Sequence, residues 1–447
     1  MSLSIIDTIN TYAQAEEYIF GIPKFTRKNS MENTRCFLAH LQDSVQEIKT
    51  IHVAGTNGKG SVCAYLRSIL QEAGFATGMF TSPHLVTMRE RFLINGEMVS
   101  EEEFMWAFKQ VAEKLANMPE SLRKISYHPT FFEYLFFMAM VLFARHKVDY
   151  MILETGLGGR LDATNAIDSK EVCIITSIGY DHMEYLGETL PEIAAEKAGI
   201  MRPNVPVVYF DKEKEVTETL EKCAAKVGTK TEPVSFCAIK EINSENKTID
   251  FSLQSNYYGY IRFRMSTIAL YQVENVALAI KAVEQLKDRE IISTRMLQEG
   301  IRKAHWEGRM EEIMPSVYLD GAHNTDGMKA FLHTVREDGC LGHRKLLFSM
   351  VKDKQYQAVI AMIGQAELFD EIGVVALQDA RALPLQELED NFRQYTELKI
   401  RKYDRLENAV QDITADRSDE DRVYIVGSLY LVGEVKALLR RHSHDKF

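Results

Sequence analysis

The residues from Ile51 to Ser61, IHVAGTNGKGS, carry a β-branched run into three glycines around Lys59. A glycine-rich turn between a strand and a helix lets backbone N–H groups converge on phosphate oxygens, and a lysine there adds positive charge. The stretch nearly fits GxxxxGK[ST], but Val53 stands at the first glycine and Gly60 separates Lys59 from Ser61. The hydroxyl that normally reaches a nucleotide-bound Mg²⁺ therefore comes one residue late. A plain glycine turn with an exposed lysine is the alternative. The strand-like residues before the loop and the helix-like SVCAYLRSIL after it favour a phosphate cradle made by Gly55, Thr56, Asn57, Gly58, Lys59, Gly60 and Ser61.

A metal-bound nucleotide also needs hard ligands nearby. The apolar run DYMIL ends in Glu154 before the glycine-rich TGLGGR, which sets a carboxylate at the end of a buried strand; a helix cap or loop carboxylate is the alternative. VCIITSIG leads to Tyr180, Asp181 and His182, and a histidine there is either a ligand or an ordinary structural group. In EIAAEKAGI, Lys197 falls on an apolar helix, where desolvation lowers an amine pKa unless the side chain snorkels to water. TSPHL brings Ser82 and His84 after the strand ATGMF. Much later, Arg309 and the strand end LDGAHN, with Asp320 and His323, could enter a cleft between domains.

The elements that must hold these groups alternate strand and helix from Lys49 onward, a rhythm that predicts a mostly parallel sheet with helices on both faces. Ligands bind at the carboxyl ends of such strands. Between about Val234 and Arg264 short alternating segments (VSFCAIK, TIDFSLQ, YIRFRM) predict antiparallel hairpins at a sheet edge. SVYLDGAHN opens a second βα series, so a domain boundary is expected near residue 302, dividing 1–301 from 302–447.

At 447 residues, 46% hydrophobic and 26% charged, the chain reads as a soluble globular protein of two or three domains. A net charge of -11 without a basic block argues against a nucleic-acid or acidic-membrane partner. The six cysteines form no CxxC pair, which argues against zinc sites and disulfide frameworks and suits a reducing cytoplasm. The first residues lack a signal-peptide pattern, and the longest uncharged apolar run, Tyr134 to Ala144, falls short of the roughly 20 residues that span a bilayer.

HVAGTNGKGS, TSPHL, LETGLGGRLDATN, ITSIGYDH, EKAGI, QxxN (Gln272 to Asn275), WEGR and DGAHN occur in the order found in folylpolyglutamate synthases. The chain resembles that family, which includes bifunctional dihydrofolate synthases and belongs to the Mur ligase superfamily, over roughly residues 50 to 430. The resemblance implies an α/β protein: an N-terminal P-loop-type, mostly parallel sheet domain with an antiparallel edge, plus a smaller, doubly wound C-terminal α/β domain. It implies ATP-dependent ligation of L-glutamate to the side-chain carboxylate of a folate, with Mg²⁺ at two sites and a monomeric protein. Ser82 and Glu154 match ligands of the first metal, Glu154 and His182 those of the second, and Lys197 matches a lysine carbamylated in this family. Asn275, Arg309 and Asp320 match nucleotide contacts, His323 falls near the incoming glutamate or phosphate, and Thr130 and Asp162 match positions lining the pteridine side.

Two stretches depart from the family pattern: KFTRKNSMENTRC, Lys24 to Cys36, and WEGR in place of WPGR. Dihydropteroate as a second acceptor stays open. A cell-wall ligase would need a UDP-binding domain before the loop, and a guanine-reading switch would need NKxD, whereas NKTID from Asn246 has one residue too many.

Overall fold

The computed structural model describes residues 8–22, 29–41, 43–352, 354–379 and 381–444; of the divergent stretch Lys24 to Cys36, residues 24–28 lie outside them. The strands are β1 (Lys49–Ala54), β2 (Thr77–Phe80), β3 (Phe92–Ile94), β4 (Glu97–Met98), β5 (Tyr150–Glu154), β6 (Lys170–Ile175), β7 (Val207–Phe210) and β8 (Thr231–Val234). They form one sheet in the order β4-β3-β2-β5-β1-β6-β7-β8. Pairing from β2 through β8 is parallel, while β3 and β4 add antiparallel strands at one edge.

The central strands are buried nearly end to end, as a sheet covered by helices on both faces requires. Register does the rest. Phe80 pairs with Leu153, Val53 with Glu154 and Ala54 with Ile175, so β2, β5, β1 and β6 run out at one level and release their loops side by side. One face is covered by a core that includes the helix Phe131–His146, whose apolar run is buried within the protein. No helix among the described residues is long and apolar enough to cross a membrane.

The strands β9 (Ile239–Glu245), β10 (Thr248–Ser255) and β11 (Gly259–Met265) were expected as hairpins on the edge of the large sheet. They instead form a separate three-stranded antiparallel sheet. The reason is packing: Phe251, Leu253, Ile261 and Phe263 bury against Val276 and Ile280 of the helix Gln272–Val283 and Leu297 of the helix Thr294–Lys303. The edge of the large sheet is closed by β8, and a short turn at Phe236–Ala238 breaks VSFCAIK into two strands.

A six-stranded sheet follows: β12 (Arg309–Met314), β13 (Val317–Asp320), β14 (Arg344–Phe348), β15 (Glu371–Val375), β16 (Ile400–Tyr403) and β17 (Arg422–Val426). Its order is β12-β13-β17-β14-β15-β16, parallel except for β12 against β13. Leu319 pairs with Ile425 and Phe348 with Val426, which again brings neighbouring strand ends to one level.

Candidate active site

The carboxyl ends of both sheets open onto one cavity of about 1650 Å³. It is lined by Gly55 to Ser61, Ser82, Glu154, His182, Lys197, Asn275, Arg309, Asp320 and His323, together with Thr130 and Asp162. All the candidate site residues of the sequence thus border one space, drawn from positions up to 268 residues apart between Gly55 and His323.

The glycine loop follows β1 and opens the helix Lys59–Glu72. Gly58 sits at the helix N-cap with φ 86°, and no side chain caps the helix, so the amides of the first turn are left for an external acceptor. Gly58 also lies against the Asn275 amide, which a Cβ would strike. The loop is fixed from outside: Thr56 N donates to Ser177 O (2.7 Å), Thr176 Oγ1 to Asn57 O (2.7 Å) and Lys197 Nζ to Gly55 O (2.7 Å). Lys59 Nζ donates to Thr56 O at 3.0 Å and lies 3.8 Å from Glu154 Oε1.

The late hydroxyl has a steric cause. A Cβ at Gly60 would come 2.7 Å from three atoms of the Trp306 indole, so the position after Lys59 has no room for serine. Ser61, for its part, is buried and accepts from Gln272 Nε2 at 3.2 Å. Gly60→Ser would restore the GK[ST] end of the general pattern, yet it should destabilise the chain by about 1–3 kcal/mol and weaken ATP binding. Adding Trp306→Ala should recover part of both. Thermal melts and ATP titrations of the single and double variants check this, and a harmless Gly60→Ser would contradict it.

Glu154, at the end of β5, is 3% exposed. Burial pushes its carboxyl pKa up, against the pull of Lys59, the Ser82 amide and Arg309. It accepts from Ser82 N at 3.1 Å. This buried carboxylate, short of donors and facing the Ser82 loop, is suited to a hard cation. His182 is exposed to the cavity in a left-handed backbone conformation, and its pKa is pushed down to about 4 by partial burial and the Lys354 ammonium. A neutral imidazole keeps a lone pair for a ligand.

Lys197 is 3% exposed; burial, and then the charge of Lys59, push its pKa down to about 7. Asp320 is also buried, which raises its pKa, and it accepts from Tyr271 OH (2.6 Å), Met310 N (2.9 Å) and Ala322 N (2.8 Å). Arg309 Nη1 donates to Gly308 O at 2.9 Å. Thr130 caps the helix Phe131–His146 in a reciprocal pair with Glu133. Glu133 in turn accepts from Thr34 Oγ1 (2.7 Å) and Asn29 Nδ2 (2.7 Å). Asp162 lines the cavity with both carboxylate oxygens already bonded to its own loop.

Three groups that join the two sheets, Asn324, Asp326 and Lys354, are not among the sequence candidates. Lys354 Nζ donates to Asp181 Oδ1 at 2.6 Å, Asn324 Nδ2 to Asn57 Oδ1 at 3.1 Å, and Tyr180 N to Asp326 Oδ2 at 3.2 Å. His323 Nε2 lies 3.4 Å from Asp181 Oδ2. Burial would raise the Asp181 pKa, but His323 and Lys354 hold it well below the usual carboxylate range. DGAHN already contains Asn324; Lys354, in VKDKQ, reads as a solvated charge run until the fold delivers it.

A glycine loop, buried carboxylate, histidine and lysine on one sheet face acidic and basic groups from a second across one cavity, and the family comparison makes the chain a ligase of the Mur type. The models for the Mur ligase middle domain and the Mur ligase, glutamate ligase domain match residues 53–283 and 308–429. A Bacillus subtilis dihydrofolate synthase/folylpolyglutamate synthase is 34% identical over 437 residues, 96% of this chain and 99% of that protein. The chain belongs to the folylpolyglutamate synthase and dihydrofolate synthase family. Among solved structures, E. coli FolC in complex with DHPP and ADP superposes with a TM-score of 0.83 at 27% identity, covering 97% of this chain and 99% of that one. A Mycobacterium tuberculosis folylpolyglutamate synthase complexed with ADP and AMPPCP gives 0.85 at 25% identity, covering 96% and 98%.

Proposed function

We propose that this chain joins L-glutamate to the side-chain carboxylate of a folate at the expense of ATP, through an acyl phosphate. The observation that carries the reading is the convergence of Lys59, Glu154, His182 and Lys197 with Arg309, Asp320 and His323 on one cavity between the two sheets. The names of the relatives supply the substrate class: folylpolyglutamate synthase activity, and ADP or AMPPCP bound in structural neighbours.

A carboxylate is a poor acyl donor. Its oxygen attacks the γ-phosphorus of ATP, ADP leaves, and the acyl phosphate is attacked by the glutamate amine. The amide bond forms as the C–O bond breaks, phosphate departs with an oxygen of the original carboxylate, and the amine loses a proton. Lys59 and the open amides of the glycine loop bind the phosphates and stabilise charge that grows on the transferring group. Asn275, Arg309 and Asp320 hold the nucleotide, the last two from the second sheet. His323 receives the incoming glutamate or the departing phosphate, and Thr130 and Asp162 shape the pteridine side.

Glu154 with Ser82, and Glu154 with His182, are the groups that would hold two Mg²⁺ ions, which supply charge neutralisation on the phosphates when bound. Lys197, carried as a carbamate, would offer an anion beside the glycine loop. The bonds of Asn324, Asp326 and Lys354 to the first sheet support closure that excludes water from the acyl phosphate. We place the chain in the cytoplasm as a monomer; six scattered cysteines without a CxxC pair suit a reducing compartment.

A second acceptor, dihydropteroate, is favoured by the double name of the Bacillus subtilis relative, similar over nearly the whole chain. Phosphate release from MgATP and glutamate, with tetrahydrofolate, dihydropteroate or a UDP-muramoyl peptide offered in turn, tests both readings. Turnover with tetrahydrofolate is expected, turnover with dihydropteroate as well would show two activities, and turnover with the muramoyl peptide alone would overturn the proposal.

A further inference from the structure

The loop TGLGGRLD, Thr155 to Asp162, forms one wall of the cavity. Asp162 holds that wall from behind. Its Oδ2 accepts from Gly156 N (2.8 Å) and Leu157 N (2.9 Å), and its Oδ1 from Thr164 N (3.0 Å) and Thr164 Oγ1 (2.5 Å). An ionised carboxylate offers about four acceptor positions, so Asp162 is fully engaged.

Thr164 has no exposed surface, and its single hydroxyl proton goes to Asp162. Toward its other neighbour it can only accept. That neighbour is His52 Nε2, 2.8 Å away on β1, also without exposed surface. His52 must therefore carry its proton on Nε2, and its Nδ1 is a buried atom with no hydrogen-bond partner among the described residues. Burial, reinforced by the nearby charges of Lys170 and Arg202, keeps the ring neutral. The protons run one way, from His52 to Thr164 to Asp162, while Asp162 gathers the amides of Gly156 and Leu157. Bonds aligned in this way strengthen one another in a dry interior.

We propose that His52 is a positioning residue for the acceptor substrate: by donating from Nε2 it orients the Thr164 hydroxyl onto Asp162 and so fixes the Gly156–Leu157 wall against which that substrate lies. This rests on the folate-ligase reading above. His52 also lies two residues before Ala54 on the strand that feeds the glycine loop, so an effect on the wall must be separated from an effect on ATP.

Glutamine sets an amide nitrogen where Nε2 stood, asparagine where Nδ1 stood, and leucine has no donor. In the full chain, His52→Leu and His52→Asn should raise the KM for the folate acceptor about tenfold, the size of one buried hydrogen bond. The kcat and the KM for ATP should stay within about twofold, and His52→Gln should return the acceptor KM to within about threefold of wild type. If His52→Gln behaves like His52→Leu, or if both KM values move together, the proposal is overturned. A nitrogen-15 NMR spectrum of the wild-type chain gives a check that needs no variant to fold: a neutral ring protonated at Nε2 is expected, and a proton on Nδ1 would overturn it. A wild-type chain inactive toward every folate would sink the folate reading and the substrate assignment with it, a result told apart because the Nε2 signature would persist.

Discussion

Lys59→Ala is expected to leave the chain folded and to cut phosphate release from MgATP by on the order of a thousandfold. The Lys59 side chain is only 17% exposed, and its ammonium stands between Thr56 O at 3.0 Å and Glu154 at 3.8 Å, at the mouth of the uncapped helix. There it meets the oxygens of the transferring phosphoryl group with little water to weaken the interaction. The loss of one preorganised charge of this kind costs about 3–4 kcal/mol in the transition state. Stability suffers less. Glu154, whose pKa burial already raises, loses its nearest cation and is protonated more readily, while Arg309 and Arg91 remain to compensate it. Single-turnover phosphate release beside a thermal melt separates the two effects. Activity within tenfold of wild type, in a folded variant, would remove Lys59 from its assigned role.

Lys197→Met should move stability and activity in opposite directions. The buried amine titrates at about 7 in the folded chain against an ordinary 10.5, because burial and the Lys59 charge disfavour its protonated form. Between those two values the unfolded chain binds more protons than the folded one, so wild-type stability rises with pH across that window. Methionine has no such penalty. In buffer stripped of carbon dioxide, where Lys197 is a free amine, the variant's melting temperature should therefore gain on wild type as pH falls from about 10 to about 7, and the difference should level off below that. Turnover should fall on the order of a hundredfold at every pH. A carbamate forms on a neutral amine, so stripping dissolved carbon dioxide should lower wild-type turnover while leaving the variant unchanged. A melting difference that ignores pH, or a variant that turns over normally, would contradict this account of Lys197.

Much of this site is legible along the chain because its signals are local. Glycines around Lys59, a carboxylate ending an apolar strand at Glu154 and a polar cluster after β6 each announce a strand end, and strand ends of a parallel sheet share one edge. What escapes depends on distant partners. The absence of a side chain at Gly60 has its cause in Trp306, which only the tertiary fold brings near. Lys354 gains meaning only when the second sheet delivers it to Asp181. The β9–β11 segment alternates as an edge hairpin does, and nothing in that period tells whether its apolar face meets a neighbouring strand or the helices Gln272–Val283 and Thr294–Lys303. His52 reads as one more residue of a buried strand until the direction of the Thr164 hydroxyl is worked out.

The central claim, that ATP activates the folate carboxylate by phosphorylating it in the cavity between the two sheets, is tested most directly by following an oxygen. A tetrahydrofolate carrying heavy-oxygen label in its side-chain carboxylate is turned over with MgATP and glutamate, and the released phosphate is weighed by mass spectrometry. One labelled oxygen is expected in each phosphate released with product, carried across when the acyl phosphate breaks down. Product formed with unlabelled phosphate would contradict it.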